Sequence, residues 1–221
     1  MEKSLVIIKP DGTVRRTVGA LVVKALMDRG FKIRAFKEMK VPRSLAELHY
    51  AVHEDKPFFP WLVDFITSAR VLVMILEGEN VIQGVRDALG ATFVQKAAPD
   101  SLRGRYGIWS GINIAHASDG AETATNEIEL WLEHGGVEES NRAEDDARAY
   151  VKKYGSSGVD FTREIREVIS TAIKSRDASK DVVKSLVDLL KKDSKGIGSK
   201  EIESLAAAIV TSIREEIEKS K

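Results

Sequence analysis

An α+β sandwich followed by an all-helical appendage is the fold class this sequence predicts, on three observations. Residues 1–132 alternate strand-like and helix-like segments. All three Trp and six of the seven Phe lie in that stretch, so the larger core belongs there. From residue 133 the texture changes to successive amphipathic helical stripes.

The elements follow in order. SLVII (4–8) is a short apolar run ended by Pro-Asp-Gly, which reads as a buried strand entering a turn. VGALVVKALMDRG (18–30) repeats apolar residues at helical spacing and stops at Gly30. FKIRAFKEM (31–39) alternates and reads as a half-buried strand. SLAELHY (44–50) begins at a Ser cap and FFPWLVDFITS (58–68) follows Pro57; both read as helices. VLVMILEG (71–78) has the composition of a fully buried strand, and NVIQGVRDALG (80–90) is a helix stopped by Gly90. YGIWSG (106–111) reads as a fourth short strand. A last helix, from Asp119 to Leu132, opens on the capping-box-like pair Asp119 and Glu122 and buries Ala124, Ile128, Trp131 and Leu132. The order β-α-β-α-α-β-α-β-α with only four strands predicts a ferredoxin-like sandwich, its sheet antiparallel and its helices on one face.

The remainder predicts helices around 161–173, 182–190 and 202–217, separated by GSSG (155–158) and GIG (196–198), with a weaker helix over 141–154. Each apolar stripe needs cover, so this is a helical appendage and not a disordered tail. The expected division is a domain over 1–134 and a helical extension over 135–221.

Composition excludes several function classes. Lys+Arg and Asp+Glu balance at 34 each, and neither part of the chain carries the basic excess of a general nucleic-acid binder. There is no cysteine, hence no disulfide, thiol nucleophile or Cys-ligated zinc. The start has an apolar run too short for a signal peptide, and no run approaches a membrane span; the expectation is a cytoplasmic protein. GxxxxGK[ST] and GxGxxG are both missing.

The residues able to carry chemistry are few. His49 and His53 stand four apart, but the Glu of HExxH is replaced by Tyr50, so a partly exposed pair is expected rather than a metal site. His116, in NIAHASD, is expected on a loop between a strand and a helix cap, between two small alanines that leave room for a bulky group. An unprotonated imidazole is a competent nucleophile once another group fixes its tautomer. Glu127, two turns into the following helix, could point its carboxylate back at that ring. A histidine attacking phosphorus needs cations around it, because phosphoryl transfer is mostly positioning and charge stabilisation. Lys9, Arg86 and Arg103 are the candidates, each singly compatible with a surface charge.

As a set, these residues resemble the nucleoside diphosphate kinase family. IIKPDG (7–12), HY (49–50), KPFFPWLV (56–63), LEGENVI (76–82), SLRG (101–104), NIAHASD (113–119) and EIELWL (127–132) fall in family order, so the resemblance covers residues 3–132. It implies transfer of the terminal phosphate of a nucleoside triphosphate to a nucleoside diphosphate, ping-pong through a phosphohistidine on His116. By the same resemblance, Glu127 holds the far ring nitrogen and Ser118 supports its carboxylate. Lys9 and Asn113 reach sugar hydroxyls; Arg86, Thr92 and Arg103 neutralise phosphate oxygens; Tyr50 lies near the transferred group. Phe58 stacks on the base with Leu62 behind it, a platform tolerant of any base. Mg²⁺ is implied as a passenger on the nucleotide phosphates, and the assembly as a homo-oligomer, a hexamer or tetramer built from dimers.

The sequence departs from the family at Ala117, where many relatives have Gly, and at Ile112, where Arg is common. It also departs along TFVQKAAPDSLRG (92–104), a loop that usually helps assembly. The resemblance is silent on residues 133–221. A scaffold that kept the fold and recruited a partner through its tail is the alternative, but it should have lost some of Lys9, Arg86, Arg103, Asn113 and His116; none is lost.

Overall fold

The computed structural model describes residues 1–156 and 159–219. The elements are β1 (Glu2–Ile8), α1 (Pro10–Val14), α2 (Arg16–Met27), β2 (Lys32–Met39), α3 (Arg43–His49), α4 (Phe59–Thr67), β3 (Val71–Gly78), α5 (Val81–Leu89), α6 (Leu102–Tyr106), β4 (Ala115–Ala117) and α7 (Ala121–His134). After them come α8 (Ala143–Tyr154), α9 (Thr162–Ser175), α10 (Lys180–Lys191) and α11 (Ser199–Lys219). Of the GSSG break expected at 155–158, residues 157–158 lie outside the described ones.

The sheet runs β2-β3-β1-β4, antiparallel at every junction. The α+β, four-stranded antiparallel class is as the sequence predicts. The expectation of helices on one face is not. Strand side chains alternate between faces, and both sets are buried. Val6, Ile8, Leu72, Met74 and Leu76 share a core with α2, α5 and α8. Leu5, Ile7, Val71, Val73 and Ile75 share another with α3, α4 and α7, centred on the fully buried Trp131. Two-sided burial is why LVII (5–8) and VLVMIL (71–76) are apolar at every position instead of alternating.

The fourth strand is Ala115–Ala117, not 106–111. Residue 106 closes α6, and the stretch after it holds only an isolated bridge between Trp109 and Ile112. The helix expected from Asp119 starts at Ala121 with Gly120 at its cap position and no side-chain cap hydrogen bond, so Asp119 does not serve as the expected cap.

The C-terminal helices lie against their own chain. α8 joins the α2 side of the sheet core. α9, α10 and α11 bury Ile165, Ile169, Leu186, Leu190, Leu205, Ile209 and Ile213 in a third cluster shared with Val14, Phe65, Ala69, Ile108 and Ile112. Polar contacts pin this docking. The Asp193 carboxylate accepts from the backbone N–H of Thr17, 2.9 Å, and from its hydroxyl, 2.8 Å, satisfying an orphan donor at the start of α2. Glu201 accepts two bonds from the Arg70 guanidinium, at 3.0 and 2.7 Å. Trp61 Nε1 donates to the Ala208 carbonyl at 3.0 Å.

Candidate active site

His116 is the middle residue of β4 and pairs in register with Ile7 of β1. Its neighbours Ala115 and Ala117 belong to the α2/α5 core, so alternation sends His116 to the opposite face, toward α3 and α7. The alanines therefore do not open space beside the ring, as expected from sequence; they face the other way, and the residue sits on a strand rather than a loop. Ala117 lies in extended strand and is not among the positive-φ residues, so the methyl that replaces glycine there meets no backbone obstacle.

One carboxylate faces the ring. His116 Nε2 lies 2.8 Å from Glu127 Oε1, and both side chains are partly buried. The other oxygen, Oε2, accepts from the Ser118 hydroxyl at 2.6 Å. Ser118 Oγ in turn accepts from the Leu5 backbone N–H at 3.1 Å, which ties the trio to β1. The ring nitrogen is not aligned on that oxygen for a hydrogen bond, so the carboxylate acts on Nε2 through its charge, which favours a proton there. The Nδ1 lone pair is then the free one.

A second imidazole stands beside the first. His49 is buried at the end of α3, its ring centroid 4.6 Å from that of His116 and nearly perpendicular to it. Trp131 Nε1 donates to His49 Nδ1 at 3.3 Å. Burial, with His116 and Lys9 nearby, holds the His49 pKa well below its usual value, so it is neutral. The spacing of His49 and His53 predicts a partly exposed pair; instead His49 is enclosed within this site. The signal was present in HY, one residue before the candidate Tyr50. The Tyr50 hydroxyl is buried, and burial together with Glu127 and Asp11 raises its pKa above the usual value.

The cations form the other wall. Lys9 Nζ donates to Asn113 Oδ1 at 2.8 Å, and Asn113 Nδ2 donates to the Thr92 carbonyl at 2.7 Å. Arg103 donates to the carbonyls of Gly90, 2.8 Å, and Ala115, 2.9 Å. Burial and Arg103 bring the Lys9 pKa down to about 8; burial and Arg86 bring that of Arg103 down to about 10. Such depressions mark cations that are buried close together with little counter-charge, surroundings that favour an anion. Phe58 and Leu62 belong to a neighbouring patch at the start of α4, where Phe58 is exposed and packs near the His53 ring.

Asp11, which sequence reasoning missed, organises this wall. Its buried carboxylate accepts from Ile114 N at 3.0 Å, and Lys9 N donates to the Ile114 carbonyl at 2.8 Å. Ile114 has φ of 68°, an unfavourable conformation for a β-branched residue, and these two bonds clamp it. Gly12 allows the close approach: a Cβ there would lie 2.6 Å from Ile8 Cγ2 and 3.0 Å from the Ile114 carbonyl.

His49, His116 and Glu127 place one ligand atom each within 4.8 Å of one another. Two imidazoles and one carboxylate are a poor set for Mg²⁺, which takes oxygen ligands and keeps its waters. Asp11 is engaged with Arg15 and Ile114, and Glu127 with His116 and Ser118. Among the described residues, this cluster therefore does not form a carboxylate cage for Mg²⁺. Among the described residues, no helix is long and apolar enough to cross a membrane.

The departure at Ile112 has a structural reason. The side chain is fully buried in the cluster that α9 to α11 form with the sandwich, where an arginine would be a buried charge.

Comparison with known proteins identifies the family. The family model described as nucleoside diphosphate kinase matches residues 2–137. The nucleoside diphosphate kinase of Synechococcus elongatus is 46% identical over 132 residues, 60% of this chain and 88% of that protein. That of Archaeoglobus fulgidus is 43% identical over 146 residues, 66% of this chain and 96% of that protein. The crystal structure of the Aquifex aeolicus nucleoside diphosphate kinase superposes with a TM-score of 0.55 at 37% identity, over 58% of this chain and 93% of that one. With its sheet, its histidine–carboxylate pair and its cationic wall in place, the chain belongs to the nucleoside diphosphate kinase family.

Proposed function

We propose that the protein moves the terminal phosphate of a nucleoside triphosphate to a nucleoside diphosphate, with His116 as the covalent carrier. In the first half-reaction Nδ1 attacks the γ-phosphorus, the bond from phosphorus to the β–γ bridging oxygen breaks, and the diphosphate leaves. In the second, a terminal oxygen of another diphosphate attacks the same phosphorus and the P–N bond breaks. The single observation that carries this reading is the 2.8 Å approach of Glu127 to Nε2, which favours Nδ1 as the nucleophile.

The remaining residues stabilise charge and hold geometry. Arg86, Arg103 and Thr92 would balance phosphate oxygens, and Lys9 and Asn113 would hold the sugar, both close to the reacting phosphate. Tyr50 would stand near the transferred group. Phe58, backed by Leu62, would stack on the base and accept any of them. The nucleotide phosphates would carry Mg²⁺, which would reduce their charge. The unit 1–134 would hold these residues, and 135–221 would be the extension. A cytoplasmic location and a homo-oligomer, a hexamer or tetramer built from dimers, complete the reading; light scattering of the full chain reads the subunit number.

The test is steady-state exchange between ATP and a second diphosphate. His116→Ala should lose at least about 10³-fold in turnover while its circular dichroism and melting remain those of the parent. A variant that keeps most of its turnover would reassign the nucleophile.

A further inference from the structure

Arg166 lies on α9, far along the chain from any residue assigned to the site, yet it reaches the segment that carries Arg103. Its Nε donates to the Gly107 carbonyl at 2.8 Å, and its Nη2 donates to the carbonyls of Gly107, 2.5 Å, and Gly104, 2.8 Å. These carbonyls lie at the C-terminal end of α6. The last carbonyls of a helix lack intrahelical partners, and a cation there also complements the helix dipole. α6 has only five residues, so it cannot rely on its own hydrogen bonds for stability.

A second guanidinium completes the hold. Arg15 Nη2 donates to the Tyr106 carbonyl at 2.7 Å, and Arg15 Nη1 is steered by the Thr162 hydroxyl of α9 at 2.8 Å. Just beyond, Ile108 is buried in the cluster that contains Ile165 and Ile169. Three carbonyls at one end of α6 are thus held by guanidinium groups, one belonging to the extension and one oriented by it. Among the described residues, the Arg103 guanidinium donates to the backbone carbonyls of Gly90 and Ala115, so α6 at one end of the side chain and these carbonyls at the other set where its charge sits.

We propose that Arg166 is a positioning residue for Arg103, so that the C-terminal extension builds part of the nucleotide site within its own chain. This rests on reading Arg103 as a phosphate contact. Arg166 touches no substrate; it acts by fixing the short helix from which Arg103 projects. A displacement of about 1 Å in such a group is enough to cost up to about 10²-fold in activity.

The test is a double-mutant cycle on ADP affinity, measured by titration calorimetry with the full chain. Arg166→Ala should weaken ADP binding about tenfold in the parent. It should weaken it no further in an Arg103→Ala background, because its effect passes through that residue. Amide exchange in 102–108 should quicken while α10 and α11 stay protected, a split that general destabilisation does not produce. Parent-like ADP affinity in Arg166→Ala, or an equal loss in both backgrounds, overturns the proposal. If Arg166→Ala does not fold, Arg166→Lys, which keeps the charge but not the fork, runs the same cycle, and the same two results support or overturn the proposal. A parent chain that binds no ADP would sink the reading of Arg103, and this proposal with it, and is told apart by the parent measurement alone.

Discussion

At the scale of single residues, the proposed chemistry rests on the pairing of His116 with Glu127 and Ser118. Glu127→Gln keeps the shape of the side chain but removes its charge, so Nε2 loses its preference for the proton. The expected result is a fall of about 10²-fold in the rate of enzyme phosphorylation, with nucleotide affinity nearly unchanged, read by quenched flow. Lys9 gives a pH signature. Its pKa in the free protein, about 8, lies below the ordinary 10.5, so between those values the unfolded chain binds more protons than the folded one. Burying the ammonium therefore costs stability below pH 8, and that cost fades as pH rises toward 10.5. Nucleotide phosphates should reverse the depression, so binding near pH 8.5 should take up a proton. Calorimetry in buffers of different ionisation enthalpy reads the uptake, and Lys9→Met should abolish it. Glu127 could be anticipated because helical periodicity aims it back at the ring. Asp11 could not, because a buried polar side chain looks the same in sequence as an exposed one; His49 stood in HY beside Tyr50, but its enclosure was not legible there.

At the scale of elements, the long apolar segments were legible and the short ones were not. β1, β3 and α5 each carry enough apolar residues to state their period. β4 is three residues with a histidine at its centre, and what makes it a strand is the edge of β1, not its own composition. YGIWSG has stronger strand propensity, yet its position is set by α6 and by the helices packed on Ile108 and Ile112. The one-face expectation failed because it followed the fold class and not the strands, whose continuous apolar runs already asked for cover on both faces. The turn after β1 offers a direct test. Gly12→Ala places a methyl 2.6 Å from Ile8 Cγ2, with the Ile114 carbonyl 3.0 Å away. It should destabilise the chain by about 1–3 kcal/mol. It should also lower turnover, since Ile114 leads directly into His116; chemical denaturation and the exchange assay read the two effects.

At the scale of the whole molecule, the extension packs against its own chain, α8 on the α2 side of the sheet and α9 to α11 on the cluster with Val14, Phe65 and Ile112. The amphipathic stripes announced that these helices needed cover, but not that α1, α4 and the segment before β4 supply it. Two anchors are testable. Asp193→Ala should cost about 0.5–2 kcal/mol by leaving the start of α2 without its cap, measured by urea unfolding. Hydrogen bonds from Arg70 lower the Glu201 pKa to about 2, below its ordinary 4.5. Its contribution is therefore complete above pH 4.5 and is lost as pH falls toward 2. Acid should loosen α11 in that window, and Glu201→Gln should flatten this part of the pH–stability curve. The proposed function turns on one covalent event. The full chain incubated with Mg-ATP and without acceptor should gain the mass of a single phosphoryl group, mapped to residues 113–119, released by acid and by added diphosphate and stable in base. An unchanged mass, or a phosphoryl group on the His116→Ala chain, would contradict it.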